Sequence, residues 1–132
     1  MNVYFVNKYR LNNNLPPFEV AGDRWAPTNN IVGTVLDEYF KGPGATEKYQ
    51  YGWIAIYDGF TGYSDIEVAD GTARLYLTGA CNPASLDYTV ADILTHNLKQ
   101  FPVIRYVKIY DENGVTKDPV GTGDSIPPCL GP

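Results

Sequence analysis

The sequence predicts an α+β domain: two helices packed on one face of a small mixed β-sheet, in the order β-α-(β)-β-β-α-β, with a C-terminal tail pinned by a disulfide. Three observations predict it. Residues 28–41 and 88–101 each repeat apolar side chains every three to four positions, the period of a helix with one buried stripe. An Asp-Gly pair at 70–71 lies between two alternating segments, the mark of a tight hairpin. The last 18 residues are rich in Pro and Gly and carry Cys129, while the only other cysteine, Cys81, lies in the body. At 132 residues the chain suits one domain with a real core. Residues 1–114 read as that domain and 115–132 as the tail.

Residues 3–9 open the chain as a strand, because Val3, Tyr4, Phe5 and Val6 are aromatic or β-branched. Residues 10–27 read as a loop, since Asn12-Asn13-Asn14 and Pro16-Pro17 sustain neither regular structure. In the first helix Ile31, Val35, Leu36 and Tyr39/Phe40 form the stripe. Thr28 or Asn29 caps its start, and Gly42-Pro43-Gly44 stops it. Residues 45–61 read as a short strand in which Tyr51, Trp53 and Tyr57 share one face. In the hairpin, Ile66, Val68, Ala73, Leu75 and Leu77 share the buried side, with Asp65, Glu67, Arg74 and Tyr76 on the other. Thr89 caps the second helix and Asp92 completes a capping box. Its stripe is Val90, Ile93, Leu94, Leu98 and Phe101, and Pro102 ends it. Residues 104–110 form the last strand, with a turn at Asp111-Glu112-Asn113-Gly114.

Composition excludes several classes of function. A hydrophobic share of 44% belongs to a globular chain. A net charge of −5, with ten basic residues spread along the chain, provides no phosphate-binding surface, so no nucleic acid is expected. One His and two Cys are too few for a common Zn site, and no cofactor is expected. No run approaches the roughly 18 apolar residues of a membrane span. Met1 is followed directly by strand-like residues rather than by a basic leader and an apolar run. The chain is therefore either cytosolic or a trimmed mature domain. The cysteines bear on that choice. Both lie in loop-like segments off any apolar face, which suits a disulfide tying the tail to the body; two free thiols are the alternative. Closing a loop of about 48 residues stabilises by about 4 kcal/mol in the chain-entropy model, and a stable bridge implies an oxidising, extracytoplasmic location.

Four motifs in order resemble the sporulation and spore germination (GerMN) domain family. They are the opening strand Val3-Tyr4-Phe5-Val6; the helix exit Phe40-Lys41-Gly42-Pro43-Gly44 with Glu47, similar to that family's "GP..xE" element; the hairpin from Val68 through Asp70-Gly71 to Leu77; and the helix–"QFP"–strand junction around Gln100-Phe101-Pro102. The resemblance covers roughly residues 3 to 114. It implies a non-catalytic module of bacterial lipoproteins and envelope proteins, working in protein–protein contact or in assembly of envelope and sporulation complexes. It carries no catalytic residues. The chain departs from the family's pattern in its aromatic segment at 49–63 and in the tail with Cys129.

Candidates for chemistry are few. His96 lies on the flank of the second helix stripe, and Ser64, Ser85 and Ser125 lack a Gly-x-Ser-x-Gly setting. A Ser/His/Asp site is a weaker reading than a surface histidine. Asp65, Glu67 and Asp70 read as a solvated hairpin face. Asp111-Glu112-Asn113-Gly114 lacks the ligand spacing of a Ca²⁺ loop. Tyr49, Tyr51, Trp53, Tyr57, Phe60 and Tyr63 fall within fifteen residues. They either close the core, form a protein interface or stack on cell-wall glycan. The expected function is thus an extracytoplasmic module binding a protein partner or itself, with glycan binding through 49–63 as the alternative. Thiol titration of the denatured, unreduced protein is expected to find no free cysteine; two free thiols would exclude the bridge.

Overall fold

The computed structural model describes residues 1–131; Pro132, the last residue of the tail, lies outside the described residues. The chain is mixed α+β, as expected, but its strands form two three-stranded sheets in place of one. It divides into two compact units, Met1–Ile56 and Tyr57–Pro132. Each unit holds one sheet and one long helix.

In the first unit, β1 (Asn2–Asn7) is the central strand, flanked by β2 (Glu19–Asp23) and the two-residue β3 (Trp53–Ile54), both antiparallel. β2 explains why the single sheet does not form. The stretch read as a loop contains a short helix, α1 (Lys8–Asn12), and this strand. Asn7 caps α1 by accepting from Arg10 N, and the chain then returns along β1 from Val6↔Glu19 to Asn2↔Asp23. With both sides of β1 occupied, the hairpin has no place beside β1. The long helix α2 (Ile31–Lys41) buries Val35, Leu36 and Tyr39, the stripe its periodicity required. Its N-cap is Asn30, in a left-handed conformation, rather than Thr28 or Asn29.

Tyr39 ties this helix to the end of the unit. Its ring stacks on Phe5 at 5.6 Å between centroids. Its hydroxyl donates to Ile56 O at 2.9 Å and accepts from Ile56 N at 2.8 Å. One buried phenol therefore satisfies both backbone groups of a residue that no strand pairs.

In the second unit, β4 (Phe60–Ala69) and β5 (Thr72–Gly79) form the predicted hairpin, and β6 (Tyr106–Tyr110) adds parallel to β5. Asp70 and Gly71 both have positive φ, which a two-residue turn of this kind demands. The helix α3 (Val90–Lys99) begins with the complete capping box of Thr89 and Asp92. It buries Val90, Ile93, Leu94 and Leu98. Asp58 secures its start: the carboxylate accepts from Val90 N at 2.7 Å and the carbonyl from Asn82 N at 2.7 Å. Gly59 is required beside it, because a Cβ there would lie 2.0 Å from Ala80 O. One expectation fails on β4. Ala73, Leu75 and Leu77 are buried, but Ile66 is only half-buried and Val68 is exposed, because β4 is the outer strand of the sheet.

The tail belongs to this second unit. Ser125 bridges to Lys108 in parallel, and its hydroxyl bonds Thr116 Oγ1 at 2.6 Å and accepts from Asp118 N. Lys108 is only 1% exposed, and its ammonium donates to Asp118 O at 2.6 Å. The Cys81–Cys129 disulfide closes the tail over 48 residues, with Cα atoms 6.6 Å apart. Glu112, in the turn after β6, accepts from Cys81 N at 2.7 Å and steadies the other end.

Tyr39→Phe is expected to lower unfolding stability by about 1–3 kcal/mol, because it strands two partly buried backbone groups. Urea denaturation measures the change; a shift below that range would mean that Ile56 finds other partners.

Candidate interaction surfaces

Exposed aromatic rings in the first unit carry the candidate site. The segment after α2 is not the alternating strand expected. Thr46–Gln50 forms a π-helical turn, and only Trp53–Ile54 is extended. This turn puts Tyr49 outward, 80% exposed, with the Lys48 ammonium 5.3 Å from its ring centre. Tyr51 is 53% exposed and meets half-buried Trp53 at 5.6 Å between ring centres. Tyr9, from α1, is 69% exposed. Tyr9 and Tyr51, together with Asn7, Arg10, Leu15 and Pro16, line an open groove of about 520 Å³.

The position of the π-helical turn depends on an ion pair. Arg24 grips Glu47 through two hydrogen bonds, Nη1 to Oε2 at 2.8 Å and Nη2 to Oε1 at 2.6 Å. Glu47 also accepts from Gly44 N at 2.7 Å. Both side chains are largely buried, and Arg24 lies 5.5 Å from the centre of the Phe5 ring. The hydrogen bonds to Arg24 hold the Glu47 carboxyl below the ordinary carboxylate range, against an opposing desolvation by burial; the Gly44 N–H and the Arg24 charge also lower it. The Gly42-Pro43-Gly44…Glu47 motif thus has a structural task. It ties the turn that carries Tyr49 to the loop that carries Trp25.

The six aromatic residues singled out from the sequence divide between the two units. Tyr49, Tyr51 and Trp53 belong to the first unit, and Tyr57, Phe60 and Tyr63 to the second. Phe60 is 3% exposed and is a core residue. Tyr57 and Tyr63 are half-buried, and burial pushes the Tyr57 hydroxyl pKa up. Two exposed rings escaped sequence reasoning. Tyr9 was assigned to the end of the opening strand, and Trp25, also strongly exposed, sits in the polar stretch Asp23-Arg24-Trp25. A lone Trp among charged loop residues was the available signal.

The other candidates sit apart. His96 is exposed on α3, and no serine hydroxyl is hydrogen-bonded to it: Ser64 faces Tyr76 O, Ser85 its own turn, and Ser125 the tail. Asp65, Glu67 and Asp70 are exposed on the hairpin. Asp111 makes a turn, its carboxylate accepting from Asn113 N and Val115 N. Among the described residues no group of His, Cys, Asp or Glu is placed to hold a metal ion, and no helix is long and apolar enough to cross a membrane. Compared with family models, curated proteins and solved structures, the chain matches none.

Glu47→Gln is expected to cost about 2 kcal/mol of stability at neutral pH, the scale of a hydrogen-bonded charge. Because the folded pKa of Glu47 is depressed, its contribution is present above the unfolded value of about 4.3 and is lost as pH falls through the folded value. The gap between native chain and variant should therefore close on acidification. Denaturation curves across pH measure it, and a pH-independent gap would contradict the assignment.

Proposed function

We propose that this chain is a non-catalytic extracytoplasmic module that acts by protein–protein contact, with the aromatic patch of its first unit as the contact surface. The observation that carries this reading is the exposure of Tyr9, Tyr49 and Tyr51 around one groove and one ion-paired turn. Rings of this kind supply large contact area at low entropic cost, and Tyr, Trp and Arg dominate binding energy at interfaces. The disulfide supports an oxidising compartment. The GerMN-like motifs support a setting in the bacterial envelope, in complex assembly or beside other envelope proteins.

One observation favours a second reading. The groove sets two exposed tyrosines beside the polar side chains of Asn7 and Arg10, a pairing of flat apolar and hydrogen-bonding groups that also suits a sugar ring. Cell-wall glycan is the ligand in that case.

Labelled full chain presented to fractionated envelope proteins and to purified peptidoglycan separates the two readings. Binding to a protein fraction is expected to fall at least about tenfold in the double variant Tyr49→Ala/Tyr51→Ala, with thermal unfolding little changed because both rings are exposed. Binding to peptidoglycan that is lost in Tyr9→Ala, with no binding to a protein fraction, would select the glycan reading. Binding indifferent to all these changes would overturn the aromatic patch.

A further inference from the structure

The chain treats the two edges of its second sheet differently. Along β6 the tail closes the edge: Ser125 N donates to Val107 O at 3.0 Å and Ile109 N donates to Ser125 O at 2.9 Å, with the disulfide fixing the tail beyond. At the other edge, among the described residues, β4 pairs with no strand but β5. Its first half is irregular, with register shifts at Phe60/Gly62 and Tyr63/Asp65. From residue 65 to 69 the register is unbroken. Such an edge presents N–H and C=O groups for pairing, although Ile66 N already donates to the Asp65 carboxylate at 2.9 Å.

The two faces of this run differ in chemistry. On the core side, Ile66 and Val68 stand in register with Leu75 and Ala73. Val68 is 41% exposed, although Ala73 beside it is buried. On the other side, Asp65 and Glu67 are exposed, and neither forms an ion pair among the described residues. Asp65 accepts only from the neighbouring Ile66 N. Arg74, in register with Glu67, donates instead to the Tyr110 hydroxyl and to Pro119 O. The charge of the unit points the same way. Residues 57–132 hold ten Asp/Glu and five Lys/Arg, while residues 1–56 hold five of each. The net charge of −5 therefore lies wholly in the second unit.

We propose that residues 65–69 of β4 are a docking edge for a basic, extended segment of a partner protein, which adds as a fourth strand. Side chains alternate along a strand. The segment would set Lys or Arg against Asp65 and Glu67 and apolar side chains over Ile66 and Val68. Backbone hydrogen bonds supply affinity in this mode, and the alternating side chains supply selectivity. A second copy of β4 is a poor occupant, because it would oppose carboxylates of like charge. The register shifts at 60–65 confine the added strand to the outer half of the hairpin. Its residues belong to the second unit and those of the aromatic patch to the first, and the proposal does not rest on the patch.

The test is a display library of linear peptides of roughly six to eight residues, the length of an ordinary strand, selected on the intact disulfide-bonded chain. Enriched peptides are expected to alternate Lys/Arg with apolar residues and to slow hydrogen exchange at the β4 amides. They should lose at least about tenfold in affinity on Asp65→Lys/Glu67→Lys, whose own selection should favour Asp/Glu at the same positions. Peptides without a basic alternation, equal affinity for the charge-reversed variant, or binding that leaves β4 exchange unchanged would each overturn the proposal. So would self-association of the chain through β4. The exchange measurement uses the native chain and stands however the variant folds. Tyr49→Ala/Tyr51→Ala should retain the binding; its loss there would assign the peptides to the aromatic patch instead.

Discussion

Each sheet of this protein has three strands and one long helix to cover it, and that shortage of covering surface shapes the rest. Units of this size bury a modest share of their surface, and small cores need additional ties. In the first unit α2 supplies Val35, Leu36 and Tyr39 to the core. In the second, α3 supplies Val90, Ile93, Leu94 and Leu98. The remaining stabilisation comes from polar and covalent ties at the points the helices do not reach. The Tyr39 hydroxyl satisfies Ile56, the Arg24–Glu47 pair fastens a turn, Asp58 caps α3, and the disulfide holds the tail.

These ties also decide what is left exposed. By holding Ile56, Tyr39 fixes the stretch that begins at Trp53. By gripping Glu47, Arg24 orients the π-helical turn that bears Tyr49 and the loop that bears Trp25. The aromatic rings are not a failure of the core to absorb them. They stand on backbone segments tied by partly buried polar groups, which would lower the entropic cost of the contact proposed above. In the second unit the tail spends its backbone groups on β6 and its carbonyls on Lys108 and Arg74. One edge of the sheet is thereby closed, while β4, among the described residues, pairs with no second strand and carries exposed acidic side chains.

Legibility followed the range of the interaction. The capping box at Thr89 and Asp92, the stripes of both helices and the Asp-Gly hairpin were readable because each is set within a few residues by backbone geometry. The strand Glu19–Asp23 was not. Its five residues carry no alternation, and it is extended because β1 offers an edge for it. The cap at Asn30 was missed for a similar reason, since Thr28 and Asn29 are equally good capping residues and only the approach of the loop selects among the three. Val68 was assigned to the core because alternation specifies a face but does not say how far the covering helix extends. Phe60 reads like Tyr49 in the sequence because both lie in one aromatic run, but Phe60 is buried and Tyr49 is not.

By itself the sequence determined the α+β class, the two amphipathic helices, the hairpin and which two cysteines any internal disulfide must join, because periodicity, turn chemistry and cysteine count act locally or leave a single partner. Tertiary structure alone decided that the strands divide between two sheets, that Glu47 answers Arg24, that Phe60 is buried while Tyr9 and Trp25 are not, and that β4, among the described residues, pairs with β5 and no other strand. Those outcomes depend on which edges and faces remain unoccupied after distant segments have packed, a competition that local sequence does not encode.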